Sequence, residues 1–290
     1  MNTHVDCIAC VINKANQLAD KYLKDKHQKY NFMNKVLREV VDIEYARTAP
    51  FLVAKVMRIL KKETGINDFY KEEKKLFNEK LLSMEKQIEE ILKDSDDRFM
   101  TALKIAQAGN IIDFGALDEI SFDLVKELIY KTLESDLDEE LYNKLKNELN
   151  SGKILLYLGD NAGEIVFDKI FIKEIKREYP HVEIFFAVRG EPVLNDINEE
   201  DAYNVGIDKY AHILSNGTDL PGTDLLEVSD EFKEIFERAD LILSKGQGNF
   251  ESLSECGENI YYLFLCKCNL FMEKFKCKKL SNIFVHESNI

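Results

Sequence analysis

Three short polar segments carry the residues best suited to chemistry: Gly159-Asp160-Asn161-Ala162-Gly163-Glu164, Arg189-Gly190-Glu191-Pro192-Val193-Leu194-Asn195-Asp196 and Lys245-Gly246-Gln247-Gly248-Asn249-Phe250-Glu251. Asp160, Asn161 and Asp196 offer two carboxylates and an amide oxygen, hard donors that suit Mg²⁺ or Mn²⁺ and leave further positions to water and substrate. Arg189 and Lys245 supply positive charge for a phosphate. Gly246 and Gly248 leave the amides beside Lys245 bare enough to approach phosphate oxygens, just before a helix start. A cation held by such a set would polarise a phosphoryl oxygen and lower the pKa of a bound water. Each segment alone has a plainer reading. Asp-Asn after a strand is commonly a turn with a helix N-cap, Gly-Gln-Gly marks any tight turn, and the basic residues can be solvated charges. Their shared position, each directly after an apolar run, points to one site.

The elements that must position these segments follow from a change of texture near residue 150. Residues 1–150 hold three of the thirteen glycines and one of the four prolines, and apolar residues recur at helical spacing, as in Phe69, Leu76, Leu81, Met84, Ile88, Ile91 and Leu92. The stretch 71–80 reads as a solvated charged face, and 122–149 as a charged helical hairpin leading into the second half. From Lys153 onward, short β-rich runs at 154–158, 183–188, 212–214, 241–244, 260–266 and 282–286 alternate with amphipathic stretches at 164–177, 224–238 and 250–256. That alternation predicts βαβ units and a mainly parallel sheet with helices on both faces. The expected domains are therefore a helical part, 1–150, acting as a lid, and an α/β part, 151–290. In such sheets ligands bind beyond the carboxyl ends of the strands, where the three segments fall.

Several classes are excluded. Thirty-nine basic against fifty-three acidic residues leave a net charge of −14, which disfavours nucleic acid and anionic membranes as partners. No apolar run approaches a membrane span, the N-terminus lacks a signal-peptide pattern, and six cysteines are too few for a disulfide scaffold. A cytoplasmic location is expected. The turn after the first strand lacks the glycine pattern of a dinucleotide or adenosylmethionine site, and there is no P-loop. Ala162 stands where a phosphatase of the haloacid dehalogenase type would carry its second acid, so attack by an activated water is favoured over a covalent Asp160 phosphate. The five histidines are scattered.

Taken together, Gly-Asp-Asn-Ala-Gly-Glu-Ile-Val-Phe-Asp (159–168), Arg-Gly-Glu-Pro-Val-Leu-Asn-Asp (189–196) and Ser-Lys-Gly-Gln-Gly-Asn-Phe-Glu (244–251) resemble the DUF89 family of damage-control phosphatases. Cys7-Ile8-Ala9-Cys10 and Gly109-Asn110-Ile111-Ile112-Asp113 resemble it too, and suggest its microbial branch. The likeness runs in order from about residue 5 to about residue 270. It implies a Rossmann-like sheet under a helical N-terminal part, and a phosphatase using Mn²⁺, Ni²⁺, Co²⁺ or Mg²⁺ on small phosphorylated metabolites, such as sugar phosphates or damaged phosphometabolites. It also implies metal ligation by Asp160, Asn161 and Asp196, a catalytic, substrate-facing Lys245, and Asn110 and Asp113 near the same cleft. Arg189 and Gly246 are placed at the phosphate or leaving group. The sequence departs from the family at Ile197-Asn198, where a threonine commonly follows the aspartate.

Cys7-x-x-Cys10 leaves an alternative from another class: a non-catalytic metal- or metabolite-binding protein, or a redox protein, using the cysteines. Partners among Cys256, Cys266, Cys268 and Cys277 would have to come through the fold. In the plainer reading both cysteines sit on one side of a helix beginning near Val5 and behave as small hydrophobes. Pro50 fits the first turn of another helix, whose residues Phe51, Leu52, Val53, Val56, Ile59 and Leu60 form a core face. The metabolite, the preferred metal and the oligomeric state stay open.

Overall fold

The computed structural model describes residues 3–44, 47–110 and 121–290. Six strands form one sheet among them: β1 (Ile154–Leu158), β2 (Glu183–Val188), β3 (His212–Ser215), β4 (Leu241–Lys245), β5 (Ile260–Leu265) and β6 (Asn282–His286). Their order is β3-β2-β1-β4-β5-β6, with β6 alone antiparallel. The order reverses between β1 and β4, so the segments leaving these two strands diverge around a crevice. The predicted mixed α/β, Rossmann-like class is the one observed.

Side-chain alternation along each strand builds two cores. Leu155, Tyr157, Ile184, Phe186, Leu241, Leu243 and Tyr261 face one side of the sheet. Leu156, Leu158, Ala187, Ile242, Ile260 and Tyr262 face the other. Because both faces are covered, β1 is continuously apolar rather than alternating. The first face is packed by α6 (Arg98–Gly109), α8 (Glu139–Ser151) and α9 (Glu164–Glu178), together with α4 (Lys71–Leu82), α5 (Glu85–Lys93) and α7 (Phe122–Leu133). The second is packed by α11 (Asp230–Arg238), α12 (Gln247–Leu253) and α13 (Asn269–Phe275). A third cluster joins α1 (Val5–Tyr22), α2 (Lys26–Asp42) and α3 (Ala49–Thr64) to Val193 and Leu194 on the segment after β2. Thr48 caps α3 and Pro50 lies in its first turn, as the sequence reading expects.

Some boundaries differ from the sequence reading. The helix expected over 224–238 begins only at Asp230, because Ser229 takes the N-cap and accepts from the Phe232 amide. The one expected over 250–256 is α12, which starts directly after Gly246, since that glycine's φ of +84° turns the chain from strand to helix at once. Two seven-residue helices, α10 (Glu199–Val205) and α13, escaped notice because two turns are too short to show a helical period. No helix of the described residues is long and apolar enough to cross a membrane.

Candidate active site

Backbone hydrogen bonds bring the first two polar segments together. Ile197 N–H donates to Asp160 O (3.0 Å), Ala162 N–H to Asn195 O (3.0 Å) and Arg189 N–H to Ile197 O (2.9 Å). Asn161 and Asp196 face each other as an isolated antiparallel bridge pair. A miniature ladder thus continues beyond the sheet and fixes Asp160 and Asn161 beside Asp196. The third segment arrives through Gly246. A Cβ on this residue would stand 2.1 Å from Asp160 Cγ, so only a glycine lets the β4–α12 turn lie against that carboxylate.

Asp160 and Asp196 are 8% and 4% exposed, and Arg189, at 2%, lies between them. Its Nε donates to Asp196 Oδ2 (2.8 Å), Nη2 lies 3.7 Å from Asp160 Oδ1, and Nη1 donates to Asn249 Oδ1 (3.2 Å). Asn161 Nδ2 donates to Asp160 Oδ2 and to Glu164 Oε2 (3.3 Å). Burial raises the Asp160 pKa well above the usual carboxylate range, and the negative charges of Asp196 and Glu164 add to this, against Arg189 and Lys267. Burial also raises Asp196, with Arg189 opposing. Two carboxylates crowded around one guanidinium are short of positive charge. Among the described residues no group of three or more His, Cys, Asp or Glu side chains could hold a metal. The fit to a small divalent cation therefore rests on Asp160, Asp196 and the Asn161 amide oxygen, a hard-oxygen set with several positions left for water and phosphate.

Lys245 is placed differently from the sequence expectation. It is fully buried, and its ammonium donates to Ala106 O (2.8 Å), Glu164 Oε1 (2.6 Å) and Asp168 Oδ1 (2.6 Å). Three donors meet three acceptors, so in this arrangement none is turned toward a substrate phosphate. Tyr157 OH donates to the same Asp168 oxygen (2.7 Å), and Asn110 Nδ2 donates to Glu164. Asn110 is thus brought to the site from the end of α6, whereas Asp113 lies outside the described residues. Asn110 Oδ1, Asp168 Oδ2 and Arg189 Nη2 are buried without a hydrogen-bond partner. Asn198, at the position where a threonine is common, caps α10 in a reciprocal pair with Asp201.

Three groups near the site were not singled out from sequence. Glu164 and Asp168 sit one turn apart in α9 among Ile165, Val166 and Phe167, and acids inside so apolar a run are the signal that could have found them. Lys267 follows the end of β5, is exposed, and exerts its positive charge on Asp160. Its place just beyond a strand end is the criterion that selected the other segments. Lys74, read as part of a solvated face, is buried instead. It pairs with Asp68 (3.3 Å) and Asp201 (3.1 Å) and donates to Asp196 O (3.4 Å), because α4 packs its inner side against the segment after β2.

Residues 3–283 match the damage-control phosphatase ARMT1-like domain. An uncharacterised protein of Methanocaldococcus jannaschii is 34% identical over 272 residues, covering 91% of this chain and 88% of that one. A damage-control phosphatase of Pyrococcus horikoshii is 32% identical over 285 residues, covering 96% of each chain. Another, of Archaeoglobus fulgidus, is 35% identical over 224 residues and 75% of each. The crystal structure of a DUF89 family protein from P. horikoshii superposes with a TM-score of 0.88 at 28% identity, over 99% of both chains.

Proposed function

The chain belongs to the damage-control phosphatase ARMT1-like (DUF89) family, and from that premise we propose that it hydrolyses phosphomonoesters of small metabolites with the help of a divalent cation. The observation that carries this reading is the convergence of Asp160, Asn161 and Asp196, from two separate strand ends, into one oxygen-rich cluster whose two carboxyl groups are buried. In this reading those three residues hold the ion, Mn²⁺, Ni²⁺, Co²⁺ or Mg²⁺. When bound, it supplies Lewis acidity at a phosphoryl oxygen and at the attacking water.

The chain's own residues do the rest. Arg189 orients Asp196 through Nε and keeps Nη2, which lacks a hydrogen-bond partner, beside Asp160, where it can meet a phosphoryl or leaving-group oxygen. Glu164 orients the Asn161 amide, and Lys245 in turn fixes Glu164. Lys245 thereby enters as a positioning residue. Lys267, exposed just beyond β5, exerts its positive charge on Asp160 and adds to the neutralisation of an incoming phosphate. Charge neutralisation and positioning of this kind supply most of the rate in phosphoryl transfer. A small metabolite, sugar phosphate or damaged phosphometabolite, is the substrate class proposed, since a net charge of −14 disfavours polyanions.

Asp160→Ala should lower metal-stimulated hydrolysis of p-nitrophenyl phosphate by at least about 100-fold, with circular dichroism unchanged. Full activity in that variant removes the assignment. A panel of phosphorylated metabolites assayed with each of the four metals then orders the substrates.

A further inference from the structure

A fourth strand end reaches the site, through a residue that none of the three polar segments contains. The chain leaving β3 runs against the start of α12, and two glycines let the backbones touch. A Cβ on Gly248 would stand 2.1 Å from Pro221 O, and one on Gly222 would stand 2.7 Å from Gly248 O. The next residue, Thr223, lies beside Asn249, and both are buried. Asn249 uses its whole amide. Its Nδ2 donates to the carbonyls of Lys245 (2.7 Å), the last residue of β4, and Gly159 (3.3 Å), the first after β1. Because those oxygens can only accept, the amide cannot be turned round, and Oδ1 must face Thr223 and Arg189. Thr223 Oγ1 donates its one proton to that Oδ1 (2.8 Å). What the hydroxyl offers Arg189 Nη1, at 3.4 Å, is therefore a lone pair, and Nη1 also donates to Asn249 Oδ1 (3.2 Å).

We propose that Thr223 and Asn249 are positioning residues for phosphoryl recognition, acting through Arg189. The guanidinium is a rigid planar fork. With Nε held by Asp196 (2.8 Å) and Nη1 held by the Thr223–Asn249 pair, the direction of Nη2 is settled. That nitrogen is buried without a hydrogen-bond partner, 3.7 Å from Asp160 Oδ1. A buried donor left unpaired costs free energy, which an oxygen of a bound phosphomonoester recovers. Both partners of Nη1 are neutral, so that side draws off none of the positive charge the phosphoryl group needs. Without the Thr223 hydroxyl, Nη1 keeps only Asn249, the amide oxygen loses its nearer donor, and the fork can rock. This inference rests on the phosphatase reading and extends it to the strand end after β3.

The test uses the full-length protein with whichever of the four metals best supports hydrolysis of p-nitrophenyl phosphate. Thr223→Val, which keeps the side-chain shape and removes the hydroxyl, should lower kcat/KM about tenfold with circular dichroism unchanged. Calorimetry should show a parallel weakening in the binding of inorganic phosphate. Thr223→Ala, which also lacks the hydroxyl, should show the same losses, so misfolding of one variant leaves the test intact. Thr223→Ser should recover most of both. Beside Arg189→Met, Thr223→Val should cause no further loss of kcat/KM, a non-additivity that a purely structural role would not produce. A parent inactive with every metal removes the phosphatase reading, and this inference with it. An active parent in which Thr223→Val and Thr223→Ala keep full kcat/KM, or lose as much beside Arg189→Met as alone, overturns this inference and leaves that reading standing.

Discussion

Lys245, Glu164 and Asp168 bury one ammonium among two carboxyls, which leaves one carboxyl short of counter-charge. Burial works against the charged lysine, yet Asp168 and Glu164 outweigh it and hold its pKa above the usual lysine range. For Asp168 burial prevails over Lys245, raising the carboxyl from 3.8 to about 6. The folded state thus binds this proton more tightly than the unfolded chain does. The resulting stabilisation is complete below the unfolded pKa and is lost as pH rises through about 6. In chelator, stability should therefore fall by roughly 2–3 kcal/mol between about pH 4 and pH 6.5 on this account. Asp168→Asn, which keeps the neutral shape, should flatten that part of the profile. Thermal melts of parent and variant across this range decide it, and parallel curves would count against the Asp168 assignment.

At the scale of elements, α4 is a brace for the active-site segments. Asn78 Oδ1 accepts from Gly163 N–H (2.6 Å), and its Nδ2 donates to Asp201 (3.1 Å) at the head of α10. Phe77 lies so close that a Cβ on Gly163 would stand 1.9 Å from its ring, and Gly163 has a φ of +81°. The turn into α9 is thus shaped from outside as well as by its own glycine. Replacing Asn78 with alanine leaves a buried N–H and a buried carboxylate oxygen without their partner, at about 1–3 kcal/mol. Asn78→Ala should lower the Tm accordingly and reduce kcat, because the Asp160–Asn161 turn loses its support. An unchanged Tm with full turnover would show that α4 does not brace the site. The helical period of residues 68–97 is visible in sequence, but the inward direction of Lys74 and Asn78 is not. Both are polar, and only packing against the segment after β2 decides that they are buried.

On the scale of the molecule, the change of composition near residue 150 does not coincide with a boundary between cores. Phe99, Leu103, Val125, Ile129, Leu145 and Leu149 share one cluster with Leu155, Tyr157 and Phe171. A fragment of residues 151–290 would expose that face of its sheet to water, at about 25 cal/mol for each Å² of apolar surface. Expressed alone it should fail to give a cooperative melt, whereas the whole chain melts cooperatively. A sharp transition in the fragment would show that the sheet half folds independently. Ion pairs from α3 to the segment after β3, such as Arg58 with Asp219, add a half-exposed contribution, worth at most about 1 kcal/mol each.

The amino-acid sequence by itself determined the α/β class, the strands and the three segments at their ends, because apolar runs and the residues that interrupt them are local properties. It also carried the family likeness, since those motifs are contiguous. Tertiary structure alone decided which way long polar side chains turn. It buried Lys245 against Glu164 and Asp168, set Arg189 between two aspartates, and gave Cys7 and Cys10 a neighbour in Cys268. The reason is electrostatic and steric: a charge is buried only where distant segments supply its partner, and no spacing along the chain records that meeting.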